Sequence, residues 1–221
     1  PDRRLLIRMD RLIIGVGTGR CGTKSLTRLL AGQPQTSATH ERYGHRVRWG
    51  CPPALWPLRL WQDTGRAPAP VQAEVAFYWV PQVRAFLRWG DATERAVRVV
   101  GLRRGREATI ASYLRWKQNA DHWRRRTARE EPLDEWDHCY PSYDETEKAA
   151  AIGRFWDEVY GRLAEIRDER LRVFPNEALN DPEGVEAILR HCGYDRAPSE
   201  EEVGIQIQSP SIEEARNSTQ W

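Results

Sequence analysis

A run of glycines, hydroxyl groups and basic side chains near the amino terminus is the first part of this sequence that could carry chemistry. Gly17–Ser25 reads GTGRCGTKS and directly follows the apolar run Arg11–Val16. Leucines at helical spacing come next, so the run predicts a turn between a strand and a helix. In such a turn the backbone N–H groups converge on one point, where the helix dipole adds partial positive charge. The segment therefore predicts a binding site for a phosphate or a similar anion.

The nucleoside-triphosphate P-loop, GxxxxGK[ST], is one loop type that could occupy this position. Gly17–Gly22 begins that pattern correctly, but Thr23 intervenes before Lys24 and shifts the register by one residue. The second strongly apolar run, Val97–Leu102, is followed by two arginines rather than by an acid suited to magnesium. Both departures argue against a kinase or an ATPase.

The dinucleotide fingerprint GxGxxG is a second possibility, and Gly17–Gly22 matches it literally. Glu41 even lies near the distance expected of a ribose-binding acid. Leu26, however, stands where a small residue is usual, and residues 35–40 are poorly apolar for an inner second strand. A dinucleotide-binding protein of the Rossmann type stays open as an alternative, as does a nucleotide-binding module without turnover.

The stretch Gly19–Leu26 resembles the 5′-phosphosulfate loop of sulfotransferases that use the donor PAPS. Cys21 departs from the serine or glycine that is more usual in that family, a change that a loop built from backbone N–H groups should tolerate. The resemblance implies that PAPS is the co-substrate and adenosine 3′,5′-bisphosphate the product. The residues it implies for donor binding are Gly19, Arg20, Cys21, Gly22, Thr23, Lys24 and Ser25.

A second motif is similar to the 3′-phosphate motif of the same family, in which an arginine leaves a strand and a serine follows in the next helix. Here the strand candidate is Val97–Leu102, and Ser112 lies in the helix candidate Glu107–Lys117. Arg104 precedes Ser112 by the eight residues usual in the family, whereas Arg103 aligns better with the residues that follow. Both arginines therefore remain candidates for the 3′-phosphate.

The resemblance also implies the catalytic groups. Arg20 occupies the family's catalytic basic position and would stabilise the leaving phosphate. Glu41, which follows Arg20 by 21 positions, is the preferred base for the acceptor proton, and His40 and His45 are the other options. Sulfuryl transfer from PAPS requires no bridging metal, and the sequence contains no cluster of metal ligands, so no metal is expected.

Strand and helix signals alternate along the chain, which predicts an α/β fold with a central, mostly parallel sheet flanked by helices. We expect one domain over residues 1–221, with the P-loop-like sulfotransferase architecture that the resemblance implies. Residues 42–70 and 118–142 match nothing in the family and are interpreted as excursions on the acceptor side. Further elements are expected as follows: strands Val71–Trp79 and Leu171–Phe174, and helices Pro81–Trp89, Tyr143–Ile166 and Pro182–Cys192.

The composition narrows the possible partners. A net charge of +2 creates no field that would favour nucleic acid, and no apolar run is long enough to cross a membrane. The four cysteines are widely spaced, which argues against a disulfide framework or a structural zinc site and favours a cytoplasmic location. The expected acceptor is a small molecule or a carbohydrate, and the oligomeric state is left open.

Overall fold

The structure is a computed structural model, and it describes residues 9–50, 69–116, 122–124 and 136–205. Within these residues one sheet contains five strands, in the order β2-β3-β1-β4-β5, and each neighbouring pair is parallel. This confirms the parallel α/β sheet expected from the sequence. The strands are β1 (Arg11–Gly17), β2 (Thr36–His40), β3 (Val71–Val75), β4 (Ala96–Arg103) and β5 (Leu171–Pro175).

Five α-helices lie in the described residues: α1 (Thr23–Ala31), α2 (Val83–Thr93), α3 (Arg106–Trp116), α4 (Lys148–Ala164) and α5 (Pro182–His191). The expected strand Val71–Trp79 ends at Val75, and a 3₁₀ turn, Phe77–Gln82, follows. Phe77–Val80 are all buried, and a fully buried apolar run does not distinguish a strand from a turn. Pro81 lies inside that turn instead of opening α2.

Helices cover both faces of the sheet because side chains alternate along β1. Leu12, Ile14 and Val16 belong to the core shared with α2, α3 and α4. Ile13 faces the other way, into the core formed with α1 and α5. Because all five strands run parallel, their carboxyl ends lie at one edge of the sheet, the edge where open α/β sheets bind ligands.

The strand β2 lies at the edge of the sheet and pairs with β3 instead of β1. Its residues are only half-buried, which explains why residues 35–40 are weakly apolar. The order also differs from the dinucleotide-binding 3-2-1-4-5-6 order, in which the second strand lies beside the first.

The described residues contain no candidate membrane span, no group of metal ligands and three free cysteines. None of their helices is long and apolar enough to span a bilayer. No three histidine, cysteine, aspartate or glutamate side chains among them come together as metal ligands do. Cys21, Cys139 and Cys192 are buried free thiols, whereas Cys51 lies outside the described residues.

Candidate active site

The loop between β1 and α1 has an unusual backbone. Gly19 (φ 74°), Arg20 (φ 54°) and Gly22 (φ 94°) all adopt left-handed conformations. Glycine reaches this region without strain, whereas for Arg20 it is unfavourable. Consecutive residues of this kind turn their N–H groups toward a common concavity, and the first N–H groups of α1 have no partner within the helix. The loop thus has the geometry of an anion site.

Tyr113 on α3 is hydrogen-bonded to this loop. Its hydroxyl donates a hydrogen bond to the carbonyl of Thr18. A Cβ atom at Gly19 would lie 2.5 Å from the same hydroxyl, so a side chain at Gly19 is excluded by space as well as by φ. The contact fixes the first residues of the loop against the helix that carries the second motif.

The side chain of Cys21 lies in the protein core. Its side chain is completely buried in the core formed with α1 and α5. Burial raises the pKa of the Cys21 thiol to about 11, and a hydrogen bond with Thr18 opposes that rise. The thiol is therefore protonated at neutral pH and acts as a small core side chain, which fits the expectation that cysteine is tolerated at this position.

Arg20 joins the loop to α3. Its Nε lies 3.3 Å from the Oγ of Ser112, which is buried, and its guanidinium carbon lies 5.1 Å from the ring centre of Trp116. Arg104, the residue after β4, contacts the same loop through its backbone, because its Nη1 donates a 3.1 Å hydrogen bond to the carbonyl of Arg20. The structure thus brings Arg20, Ser112 and Arg104 together.

Arg103 points elsewhere. Its guanidinium carbon lies 4.8 Å from the ring centre of Trp156 and 5.4 Å from that of Tyr160, both on α4. Trp156 also binds the carbonyl of Arg104 through its indole N–H, at 2.8 Å. Of the two arginines, Arg104 is therefore the one that contacts the loop.

His40 ends β2, which lies on the other side of β1 from β4 in the sheet, and its side chain contacts the first residue of α1. Its Nε2 lies 3.1 Å from the Oγ1 of Thr23, the first residue of α1. Burial, together with the charge of Lys24, lowers the pKa of His40 to about 4. His40 is therefore neutral at pH 7 and is in hydrogen-bonding contact with the hydroxyl of a residue expected to bind the donor.

Glu41 follows in a left-handed conformation (φ 50°), with its N–H donating to the carbonyl of Val75. One oxygen of its carboxylate lies 3.8 Å from Nδ1 of His40. Burial raises the pKa of Tyr113 well above its ordinary value; the charge of Glu41 raises it further, whereas that of Arg20 lowers it. Glu41 thus lies beside His40, whose imidazole contacts Thr23 at the end of the loop.

Two further parts of the predicted site are only partly described. The backbone of His45 lies in a 3₁₀ turn, Gly44–Arg46, but its side chain is outside the described part. The described ends of the two excursions contact each other just beyond Glu41. Trp49 donates its backbone N–H to the carbonyl of His138 at 3.1 Å, and Cys139 donates to the carbonyl of Gly44.

Sequence reasoning missed Glu74, a buried acid on β3. Glu74 is only 1% exposed to solvent. Its carboxylate accepts hydrogen bonds from the hydroxyl of Thr39, the backbone N–H of Arg42 and the hydroxyl of Tyr78. A charged residue inside an otherwise apolar strand candidate was the available signal. Trp116, which stacks on Arg20, could not be singled out from the sequence, because it is one of ten tryptophans.

Comparison with known proteins finds no matching family model and no matching curated protein. Solved structures do match. A sulfotransferase domain from the curacin biosynthetic pathway aligns with a TM-score of 0.54 at 12% identity, over 86% of this chain and 76% of its own. The sulfotransferase domain of the Synechococcus PCC 7002 olefin synthase gives 0.53 at 11% identity, over 89% and 76%. A sulfotransferase from Alicyclobacillus acidocaldarius gives 0.52 at 17% identity, over 96% and 90%.

These alignments define the class of fold: the chain has a sulfotransferase-like α/β fold. At such low identity the likeness speaks for the fold, and the activity has to be argued from the site itself.

Proposed function

We propose that this protein transfers a sulfuryl group from PAPS to a hydroxyl or an amine of an acceptor and releases adenosine 3′,5′-bisphosphate. The proposal rests on two contacts of Arg20: its side chain contacts Ser112, and its backbone carbonyl accepts a hydrogen bond from Arg104. The two segments that resemble the 5′- and 3′-phosphate motifs lie far apart in the sequence, yet these contacts join them at one edge of the sheet. A donor with phosphates at both the 5′ and 3′ positions requires such a junction.

The donor is assigned to two groups of residues. The backbone N–H groups of Gly19–Ser25, the hydroxyls of Thr23 and Ser25, and the exposed ammonium of Lys24 bind the 5′-phosphosulfate. Arg104 and Ser112 bind the 3′-phosphate, for which the contact of Arg104 with the loop is the support.

In the proposed reaction the acceptor oxygen or nitrogen attacks sulfur in line with the bridging phosphate oxygen. The new bond to sulfur forms as the bond between sulfur and the bridging oxygen breaks, and the electron pair stays on the phosphate. Arg20 stabilises the charge that develops on this oxygen, and Glu41 takes the proton of the acceptor.

Glu41 is preferred to His40 as the base for two reasons. The pKa of His40, lowered to about 4 by burial and by Lys24, makes its imidazole a weak base at neutral pH. Its Nε2 also contacts Thr23, so we assign His40 to positioning that hydroxyl.

The two alternatives differ in observable ways. A dinucleotide-binding protein is disfavoured by the sheet order, in which β3 separates β2 from β1. A nucleotide-binding module without turnover would need no carboxylate near the loop, whereas the Glu41 carboxylate lies 3.8 Å from His40, which contacts Thr23 at the end of the loop.

Calorimetric titration of the protein with adenosine 3′,5′-bisphosphate, NAD and ATP, in parallel, tests the donor class. We expect the bisphosphate to bind most tightly, and preference for NAD or ATP would overturn the proposal.

Transfer from ³⁵S-labelled PAPS to a panel of phenols, amines and sugars tests turnover. With the best acceptor, Glu41→Gln should lower kcat by about 10²-fold or more while bisphosphate affinity is kept. His40→Gln should lower kcat less, and the reverse order would make His40 the base.

A further inference from the structure

The buried carboxylate of Glu74 has no part in the proposed reaction, yet it binds the chain on both sides of the candidate base. Its Oε2 accepts from the hydroxyl of Thr39, and its Oε1 accepts from the backbone N–H of Arg42 at 3.0 Å. Thr39 and Arg42 flank His40 and Glu41 in the sequence. One carboxylate therefore closes the turn that presents both residues.

The turn needs such a clamp because its backbone is not relaxed. Glu41 has a φ of 50°, a region that non-glycine residues enter only when their surroundings hold them there. The last hydrogen bond between β3 and the chain before the turn joins the N–H of Glu41 to the carbonyl of Val75. The next backbone hydrogen bond, from the N–H of Gly44 to the carbonyl of Glu41, is long at 3.3 Å. The bond from Arg42 to Glu74 lies between them and continues the attachment of the turn to β3.

Tyr78 links the same carboxylate to the residues that follow. Its hydroxyl donates to Oε1 of Glu74 at 3.3 Å and accepts the backbone N–H of Tyr43 at 2.9 Å. Burial raises the pKa of Glu74, whereas the bonds from Thr39, Arg42 and Tyr78 lower it. Burying a carboxylate is unfavourable unless donors surround it, and here the donors come from both sides of Glu41.

We propose that Glu74 is a positioning residue for Glu41: by binding Thr39 and Arg42 it fixes the left-handed turn that directs the Glu41 carboxylate toward the donor loop. This inference rests on the proposed function, in which Glu41 takes the acceptor proton. It predicts that changes at Glu74 affect turnover through Glu41 and leave donor binding unchanged.

A double-mutant cycle in kcat tests the proposal with the best acceptor from the ³⁵S transfer screen. Glu74→Ala should lower kcat by about tenfold or more, because a misplaced catalytic group loses much of its effect, with the Kd for adenosine 3′,5′-bisphosphate unchanged. Glu74→Gln should restore most of the rate, since its amide oxygen still accepts from Arg42. In a Glu41→Gln background, Glu74→Ala should cause no further loss, because the two residues act as one unit.

A milder pair of variants covers the case in which Glu74→Ala does not fold. Thr39→Val removes one donor to Glu74 and nearly keeps the shape, so kcat should fall several-fold. Thr36→Val is the matched control on the same edge strand, where the hydroxyl contacts Tyr194 and the carbonyl of Pro34, and it should leave kcat unchanged.

The outcomes separate the two hypotheses. If Glu41→Gln lowers kcat as expected while Thr39→Val, and Glu74→Ala where it folds, leave kcat at the wild-type value, the positioning role is wrong and the proposed function stands. Additive losses in the cycle, or equal losses in kcat and bisphosphate affinity, also overturn the positioning role. Wild-type turnover in Glu41→Gln, or no transfer by the wild type, overturns the proposed function and this inference with it.

Discussion

The Nε of Arg20 lies 3.3 Å from the Oγ of Ser112, a residue 92 positions further along the chain. This contact joins the glycine-rich loop at the end of β1 to the helix that follows β4. It gives Arg20 a defined direction, since the guanidinium also stacks on Trp116 at 5.1 Å. A residue held in this way can meet a developing charge without first reorganising, which is the property that electrostatic catalysis requires.

Arg20→Ala should lower kcat for sulfuryl transfer by about 10²–10³-fold, because the stabilisation it supplies is greatest in the transition state. The Kd for adenosine 3′,5′-bisphosphate, measured by calorimetry, should change by less than about tenfold. Arg28→Ala, an exposed arginine in the last turn of α1, is the control and should change neither quantity. Equal losses in kcat and affinity would reduce Arg20 to a binding residue.

Arg104→Ala should weaken adenosine 3′,5′-bisphosphate binding by about 10- to 150-fold, the effect of losing a charge-assisted hydrogen bond of about 1.5–3 kcal/mol. Adenosine 5′-monophosphate, which lacks the 3′-phosphate, should bind almost as it does to the wild type. Arg103→Ala is the matched control, because Arg103 stacks on Trp156 and Tyr160 away from the loop. If Arg103→Ala shows the selective loss instead, the 3′-phosphate assignment belongs to Arg103.

Gly19→Ala should reduce bisphosphate affinity by about tenfold or more and destabilise the fold by about 1–3 kcal/mol, because the backbone conformation is unfavourable for alanine. The added Cβ would also lie 2.5 Å from the hydroxyl of Tyr113. Calorimetry and urea unfolding measure the two effects. Gly161→Ala on α4, where a Cβ meets nothing within 4 Å, should bind normally and be equally or more stable. Normal nucleotide binding by Gly19→Ala would remove the loop from the donor site.

The pH dependence of stability should carry a contribution from His40. Burial and Lys24 lower its pKa from 6.5 to about 4, so the folded protein binds fewer protons than the unfolded chain between these values. The stabilisation is complete above pH 6.5 and is lost as the pH falls toward 4. Urea unfolding at a series of pH values should show a smaller acid loss for His40→Gln than for the wild type. His191, whose pKa burial also lowers, is present in both proteins, so an identical pH dependence would contradict the assignment.

The local elements could be predicted because their signals are local. The apolar run of β1, the glycines after it and the leucines of α1 lie within about one supersecondary unit, and the structure has them at Arg11–Gly17 and Thr23–Ala31. The parallel sheet followed from the alternation of strands and helices. The candidate site residues also belong to local motifs, which is why the two segments that resemble phosphate motifs could be named from the sequence.

The sequence by itself therefore determined the α/β class, the glycine-rich loop between β1 and α1, and two short lists of candidate residues, because each is encoded by neighbouring residues. Only the tertiary structure decided that β2 lies beside β3, that Arg104 and not Arg103 meets the loop, and that Glu74 holds the turn before and after Glu41. These features depend on contacts between residues tens of positions apart. Such contacts are set by the packing of the whole sheet and its helices, and no periodicity or motif within one segment carries them.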